Sequence, residues 1–169
     1  MLDPNVAYSS SAWGEFLSSE VEASATLTGL LFVAISINLK KIISVPVLAP
    51  RAIKGLSSLV GVMIAASLCL VPGQNNTLLG SELTVVGILV WAVLTRSHRA
   101  ASKKNLKITN RQRVFQATLT QLSALPFVVC GVSLLCHEGG GLYWLVPAVI
   151  LSLVAALLDA WVLLIEILR

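Results

Sequence analysis

Long apolar runs alternate with short polar or basic segments along the whole chain. A helix needs about 17 to 25 residues to cross the hydrocarbon core of a bilayer, which is roughly 30 Å thick. The runs of about this length are residues 23–39, 56–71, 78–95, 114–136 and 142–168. The pattern predicts an all-α integral membrane protein, a five-transmembrane-helix bundle in which residues 1–169 form a single membrane domain.

The segment before the first apolar run is too polar to cross a bilayer. It covers residues 10–22, where Trp13 and Phe16 flank Glu15. Aromatic rings beside charged groups are typical of the headgroup region. We therefore expect a short interfacial helix that leads into the first span.

Charge supports the membrane assignment and gives it a direction. Charged residues make up 12% of the chain, whereas soluble domains contain about 25%. Eleven of the twelve Lys and Arg residues fall in residues 40–54 and 96–113. Because basic loops stay on the cytoplasmic side, we predict the N-terminus outside and the C-terminus in the cytoplasm.

The two basic loops favour anionic lipid headgroups on the cytoplasmic leaflet. Such short segments beside a bilayer are poor nucleic-acid sites, so membrane lipids are the expected partners and nucleic acid is not. The expected headgroup-binding residues are Lys40, Lys41, Arg96, Arg99, Lys103, Lys104, Lys107, Arg111 and Arg113.

A polar or small stripe follows the first span and the segment before it. Its members are Glu15, Glu20, Glu22, Thr26, Gly29, Ser36 and Asn38. The stripe either lines a water-filled path, or its hydroxyls bond the preceding turn of their own helix. On a path, the three glutamates would form an acidic mouth, and residues 30–32 a hydrophobic constriction.

Asp159 is the ionisable residue that lies well inside a predicted span. A charge at the centre of a spanning helix costs about 2.5–3.5 kcal/mol on insertion scales, so it needs a partner or water. If the fourth and fifth spans form a hairpin about residue 139, Asp159 lies opposite residue 119. We expect it to hydrogen-bond into a polar cluster, as a structural lock or as part of an ion or proton route. The cluster is Gln116, Thr118, Thr120, Gln121 and Ser123.

Small residues recur at four-residue spacing in three spans, which allows helices to approach closely. Each set either packs helices within the chain or forms a face for homo-oligomerisation. The sets are Ala25 and Gly29, then Ser57, Gly61 and Ala65, then Ser152, Ala156 and Ala160.

The sequence contains no phosphate-binding glycine loop, no HExxH pattern and no nucleophile elbow. The predicted topology puts His98 and His137 on opposite sides of the membrane. We therefore expect no enzyme activity, no cofactor and no metal. Cys69 and Cys136 would form a disulfide if the second and fourth spans touch, and buried apolar packing is the other role for these thiols.

Several segments of the first half carry a resemblance to a known family. They are Trp13 and Phe16, residues 27–39 with the run TGLLFVA, residues 70–74 and residues 79–83. They resemble a family of small bacterial multi-span membrane proteins, some of whose members carry the label modulator of FtsH protease. The resemblance implies a bacterial origin and a place in the plasma (inner) membrane, and it carries over no catalytic residue.

Two functions from different classes follow from these observations. The first is a non-enzymatic, homo-oligomeric, channel-like or transport protein whose first span lines a polar path. The second is an accessory or regulatory subunit of a larger membrane complex, such as a membrane protease or a respiratory assembly. Polar residues that persist along the first and fourth spans favour the first function.

Overall fold

The structure, a computed structural model, describes residues 4–104 and 110–168. Side chains are described throughout these ranges except at residues 4, 5, 103, 104, 112, 113 and 166–168. Every regular element in the described ranges is helical. The α-helices are α1 (Pro4–Ala7), α2 (Gly14–Ile37), α3 (Leu39–Ser44), α4 (Leu48–Cys69), α5 (Asn76–Lys104), α6 (Asn110–Cys136) and α7 (Leu145–Leu168). Short 3-10 turns precede α2 and α7, at Ser10–Trp13 and Gly141–Trp144.

Five helical segments are long and apolar enough to cross a membrane. They are Ser10–Ile37, Leu48–Cys69, Asn76–Ser102, Val114–Cys136 and Gly141–Ile165. The prediction of an all-helical chain with five candidate spans is therefore confirmed. A helix satisfies all interior backbone groups by itself, which is why long apolar runs predict helices so directly in this class of protein.

The first two spans begin earlier than predicted. Helix α2 is continuous from Gly14, so the polar segment and the first apolar run belong to one helix. Helix α4 begins at Leu48, before the expected start at residue 56, and its third residue, Pro50, is tolerated in a first turn. Arg51 and Lys54 are therefore buried residues of α4, and their assignment to a cytoplasmic loop is wrong.

Helix α4 is the central helix, since it packs against α2, α5 and α7. One core cluster, which includes Leu17, Val62 and Phe127, joins these helices with α6. A second cluster, which includes Leu31 and Ala156, lies between α2, α4 and α7. The core thus surrounds α4, and α2 lies at the edge of the bundle.

Helices α5 and α6 share the most extensive contact of the described helices. Glycines allow it: a Cβ on Gly87 would lie 2.9 Å from the backbone nitrogen of Val128. A Cβ on Gly131 would overlap the hydroxyl oxygen of Thr84. The two backbones are therefore in near contact. Any side chain larger than the hydrogen of glycine would prevent this approach at positions 87 and 131.

The predicted small-residue sets of the second and fifth spans do pack within the chain. A Cβ on Gly61 would lie 2.7 Å from Cγ2 of Val90, and Ser152 and Ala156 are buried. The set of the first span does not pack in this way. A Cβ on Gly29 would meet nothing within 4 Å, so this glycine faces away from the bundle.

The N-terminal segment closes one end of the bundle. The indole nitrogen of Trp13 donates a 2.9 Å hydrogen bond to the carbonyl of Val6, and its ring meets Tyr143 edge-on at 4.9 Å. Tyr8 stacks on His137 at 5.8 Å. The N-terminal segment and the turn between α6 and α7 therefore lie at the same end.

Candidate functional site

An ion pair between α4 and α7 lies inside the described part of the bundle. Lys54 Nζ lies 3.0 Å from Asp159 Oδ2, and the two side chains are only 10% and 11% exposed. Arg51, one turn earlier on α4, acts electrostatically on the same carboxylate. Two cations of α4 therefore converge on one acid of α7.

The prediction that Asp159 hydrogen-bonds into the polar cluster of the fourth span is wrong. Thr118 and Thr120 donate to carbonyls one turn earlier on α6, at 3.0 and 2.7 Å. Gln121 accepts a 2.6 Å hydrogen bond from the indole of Trp91 on α5. These cluster residues thus find their hydrogen-bond partners on α5 and α6. Asp159 faces α4 instead, a helix outside the predicted hairpin of the fourth and fifth spans.

A row of serines does connect α7 to α6, at a different level. Ser58 on α4 donates to the carbonyl of Ser152 at 3.2 Å, and Ser152 donates to the carbonyl of Ser123 at 3.2 Å. Ser58 lies one helical turn from Lys54, so the row continues the polar contact that begins at the ion pair. All three serines are buried, and the row links three helices across the bundle interior. The spacing of Lys54 and Ser58, four residues apart on α4, was the signal that could have identified it.

The polar stripe of α2 lies on the outside of the bundle. The buried face of this helix carries Leu17, Ser24 and Leu31, at intervals of seven residues. Glu15, Glu22, Gly29 and Ser36 follow the same interval, and all four are exposed, as is Thr26. Since 3.6 residues make one turn, the two sets lie on opposite sides of the helix. Glu20 and Asn38 are half-buried at the edges. A path inside one chain is therefore not formed by this stripe.

The polar side chains of the stripe also bond their own helix. Thr26 donates to the carbonyl of Glu22 and Ser36 to that of Phe32, each at 2.8 Å. Asn38 donates to the carbonyl of Ala34 at 2.9 Å. The hydrogen bonds to the preceding turn, the second role expected for these side chains, are therefore present.

The expected constriction at residues 30–32 does not share one face. Leu31 points inward, and its Cδ2 would lie 3.3 Å from a Cβ on Gly55 of α4. Leu30 and Phe32 are exposed on either side of the stripe, and Val33 is the exposed apolar residue within it. A constriction on this face would therefore be formed by Val33 and not by Leu31.

Where described, the expected headgroup-binding residues are at the surface. Lys40, Lys41, Arg96, Arg99 and Arg111 are exposed. The side chains of Lys103, Lys104 and Arg113, and all of Lys107, lie outside the described part of the chain.

All three cysteines are free, so the alternative of a disulfide between Cys69 and Cys136 is not formed. Cys69 and Cys130 are buried in one core cluster, and Cys136 is exposed. Cys69 therefore lies in the same core cluster as Cys130 of α6, which is six residues before Cys136.

Comparison with protein-family models, curated proteins and solved structures finds no match for this chain.

Proposed function

We propose that this chain is a non-enzymatic, channel-like membrane protein that acts as a homo-oligomer, with the outward face of α2 turned toward a shared polar path. The observation that carries the proposal is the direction of the stripe. Glu15, Glu22, Thr26, Gly29 and Ser36 are exposed on the side of α2 that its own bundle leaves uncovered.

Such a face is costly against lipid. Lipid tails offer no hydrogen bonds, so polar side chains of spanning helices face protein or water. Small residues, in contrast, let a second helix approach closely. A seven-residue repeat matches two helices that cross at about +20°. The face therefore fits another helix, or water held among several copies, better than it fits lipid.

The same proposal includes a place and an orientation. The chain would lie in a bacterial plasma membrane with its N-terminus outside and the basic residues of α3 and of the end of α5 in the cytoplasm. The turn at Ser10–Trp13 would lie at the outer interface, where Trp13 and Tyr143 pack together.

A second candidate is an accessory or regulatory subunit of a larger membrane complex. It is favoured by the bonds that Thr26 and Ser36 donate to their own helix. Hydroxyls satisfied in this way need no water, so the face would serve equally well to pack against a helix of another protein.

Reaction with water-soluble thiol reagents separates path from packing. In a background without Cys69, Cys130 and Cys136, we would place single cysteines at Thr26 and Ser36 and treat native membranes. Ile88→Cys is the matched control, because Ile88 is 49% exposed on α5 among apolar residues. A path predicts that the two α2 cysteines react and that the control does not. Reactivity no greater than the control at both positions would overturn the path.

The intact mass of the complex, extracted gently from its membrane, separates the two candidates. A closed ring of identical chains supports the homo-oligomer. Recovery with a larger protein in fixed ratio instead supports the accessory subunit.

A further inference from the structure

An apolar groove of about 350 Å³ runs between α2 and α7 on the surface of the bundle. Leu27, Leu30 and Ala34 line it on α2, and Ala156, Ala160 and Trp161 line it on α7. Its volume lies in the range of about 300–1,000 Å³ found for small-molecule sites. Of its described lining residues, Asn38 alone carries an amide, and it lies at the end nearest α3.

The groove has the length of one membrane leaflet. Its α2 lining extends from Leu27 to Asn38, which is about 16 Å at a rise of about 1.5 Å per residue. Half of a hydrocarbon core of roughly 30 Å is about 15 Å. A groove of this length accommodates an acyl chain from one leaflet.

Positive charge lies at the α3 end of the groove and also behind its lining. Ile42 of α3 lines the groove, and the two lysines that precede it in this short helix, Lys40 and Lys41, are exposed. Behind the groove, Leu31 and Asp159 both lie within 4 Å of the Cβ position of Gly55. This places the Lys54–Asp159 pair beneath the lining at the level of Leu31, and Arg51 lies one turn nearer the start of α4, toward α3. The two cations outnumber the one carboxylate, and their field is weakly screened in an apolar surrounding.

We propose that this groove binds one anionic glycerophospholipid, with an acyl chain along α2 and α7 and its headgroup at Asn38 and Lys40. The excess charge of Lys40 and Arg51 selects an anionic headgroup over a zwitterionic one. This site is separate from the outward face of α2, so it stands or falls independently of the oligomeric channel.

The test is lipid binding to the purified full chain in detergent, followed by native mass spectrometry. The probes are phosphatidylglycerol and phosphatidylcholine with identical acyl chains. We expect one phosphatidylglycerol to be retained in preference to phosphatidylcholine. Equal retention of the two lipids would overturn the proposed charge selection.

Variants locate the site. Ala34→Trp fills the groove and should abolish preferential retention, whereas Ala23→Trp, on an exposed position of α2 outside the groove, should retain it. Lys40→Gln should weaken phosphatidylglycerol binding about fivefold without affecting phosphatidylcholine, given the contribution of one basic residue near an anionic headgroup. Binding by Ala34→Trp at the level of the wild type would show that the groove is not the site.

Discussion

The ammonium group of Lys54 and the carboxylate of Asp159 lie 3.0 Å apart between two helices that are distant in the sequence. In the sequence, helices α5 and α6 lie between α4 and α7. The ion pair thus fixes the register of α7 on α4, at a level where neither charge has much access to solvent. Burial of this kind makes the loss of one partner more costly than the loss of both.

A double-mutant cycle should show this asymmetry. We expect Asp159→Leu alone to lower the free energy of unfolding by about 3 kcal/mol, because it leaves the buried cations Lys54 and Arg51 without their carboxylate. Lys54→Met alone should cost less, because Arg51 still acts on Asp159, and the double variant should be less destabilised than the sum of the two single variants. The measurement is equilibrium unfolding by dodecyl sulfate in mixed micelles.

Lys40→Met is the control for this cycle, since it removes an exposed lysine and should change stability by less than about 0.5 kcal/mol. Additive losses in the double variant would contradict the pairing.

Helices α5 and α6 approach closely because glycines at their contact have no side chain. Gly131→Ala should lower the free energy of unfolding by about 1–3 kcal/mol, because its methyl group would overlap the hydroxyl of Thr84 and force the helices apart. Gly14→Ala is matched to it, since a Cβ there meets nothing within 4 Å. The two variants are compared by thermal unfolding in detergent. Equal stability of the two would refute the close approach.

The serine row should contribute much less than the ion pair. Ser152→Ala removes the hydrogen bond to the carbonyl of Ser123 and should cost about 0.6 kcal/mol, the average for such bonds between membrane helices. Ser67→Ala, at an exposed position of α4, should be neutral. Both are measured by the same dodecyl sulfate titration. A loss above about 2 kcal/mol would mean that the row is part of a larger buried network.

Trp13 should hold the N-terminal segment on the bundle. Trp13→Ala removes the hydrogen bond to Val6 and the edge contact with Tyr143, so we expect faster cleavage within residues 4–12 by a non-specific protease. Trp13→Phe keeps the ring contact, which is the larger part of the interaction at about 0.5–1.5 kcal/mol, and should cleave at an intermediate rate.

Mass spectrometry of the intact chain gives the cleavage rates. Trp161→Ala removes an exposed indole near the other end of the bundle and should cleave like wild type. Protection that is unchanged in Trp13→Ala would show that other contacts hold the segment.

Helix number and type were predictable because apolar runs of this length leave the backbone no other way to satisfy its polar groups. The start of α4 was not, since Arg51 and Lys54 match a cytoplasmic loop by charge alone. Lys54 is paired inside the bundle with Asp159, which lies about a hundred residues later in the sequence.

The direction of the α2 stripe was equally hidden. Helical periodicity groups Glu15, Glu22, Gly29 and Ser36 on one face, but it does not say whether that face meets the bundle. Leu17 and Leu31 settle the question by filling the core opposite it. Seven-residue spacing of these leucines with Ser24 was the available signal, and it was obscured by the more conspicuous polar residues.

The ion pair also bears on the order in which the chain enters the bilayer during synthesis. Helix α4 emerges before α7, and its two cations have long side chains that can reach the headgroup layer before Asp159 is made. Asp159 has a short side chain that cannot do so, and it arrives later, with α7. The two charges that can reach the headgroup layer are therefore made early. The carboxylate that cannot reach it is made later, when Lys54 is already present to pair with it.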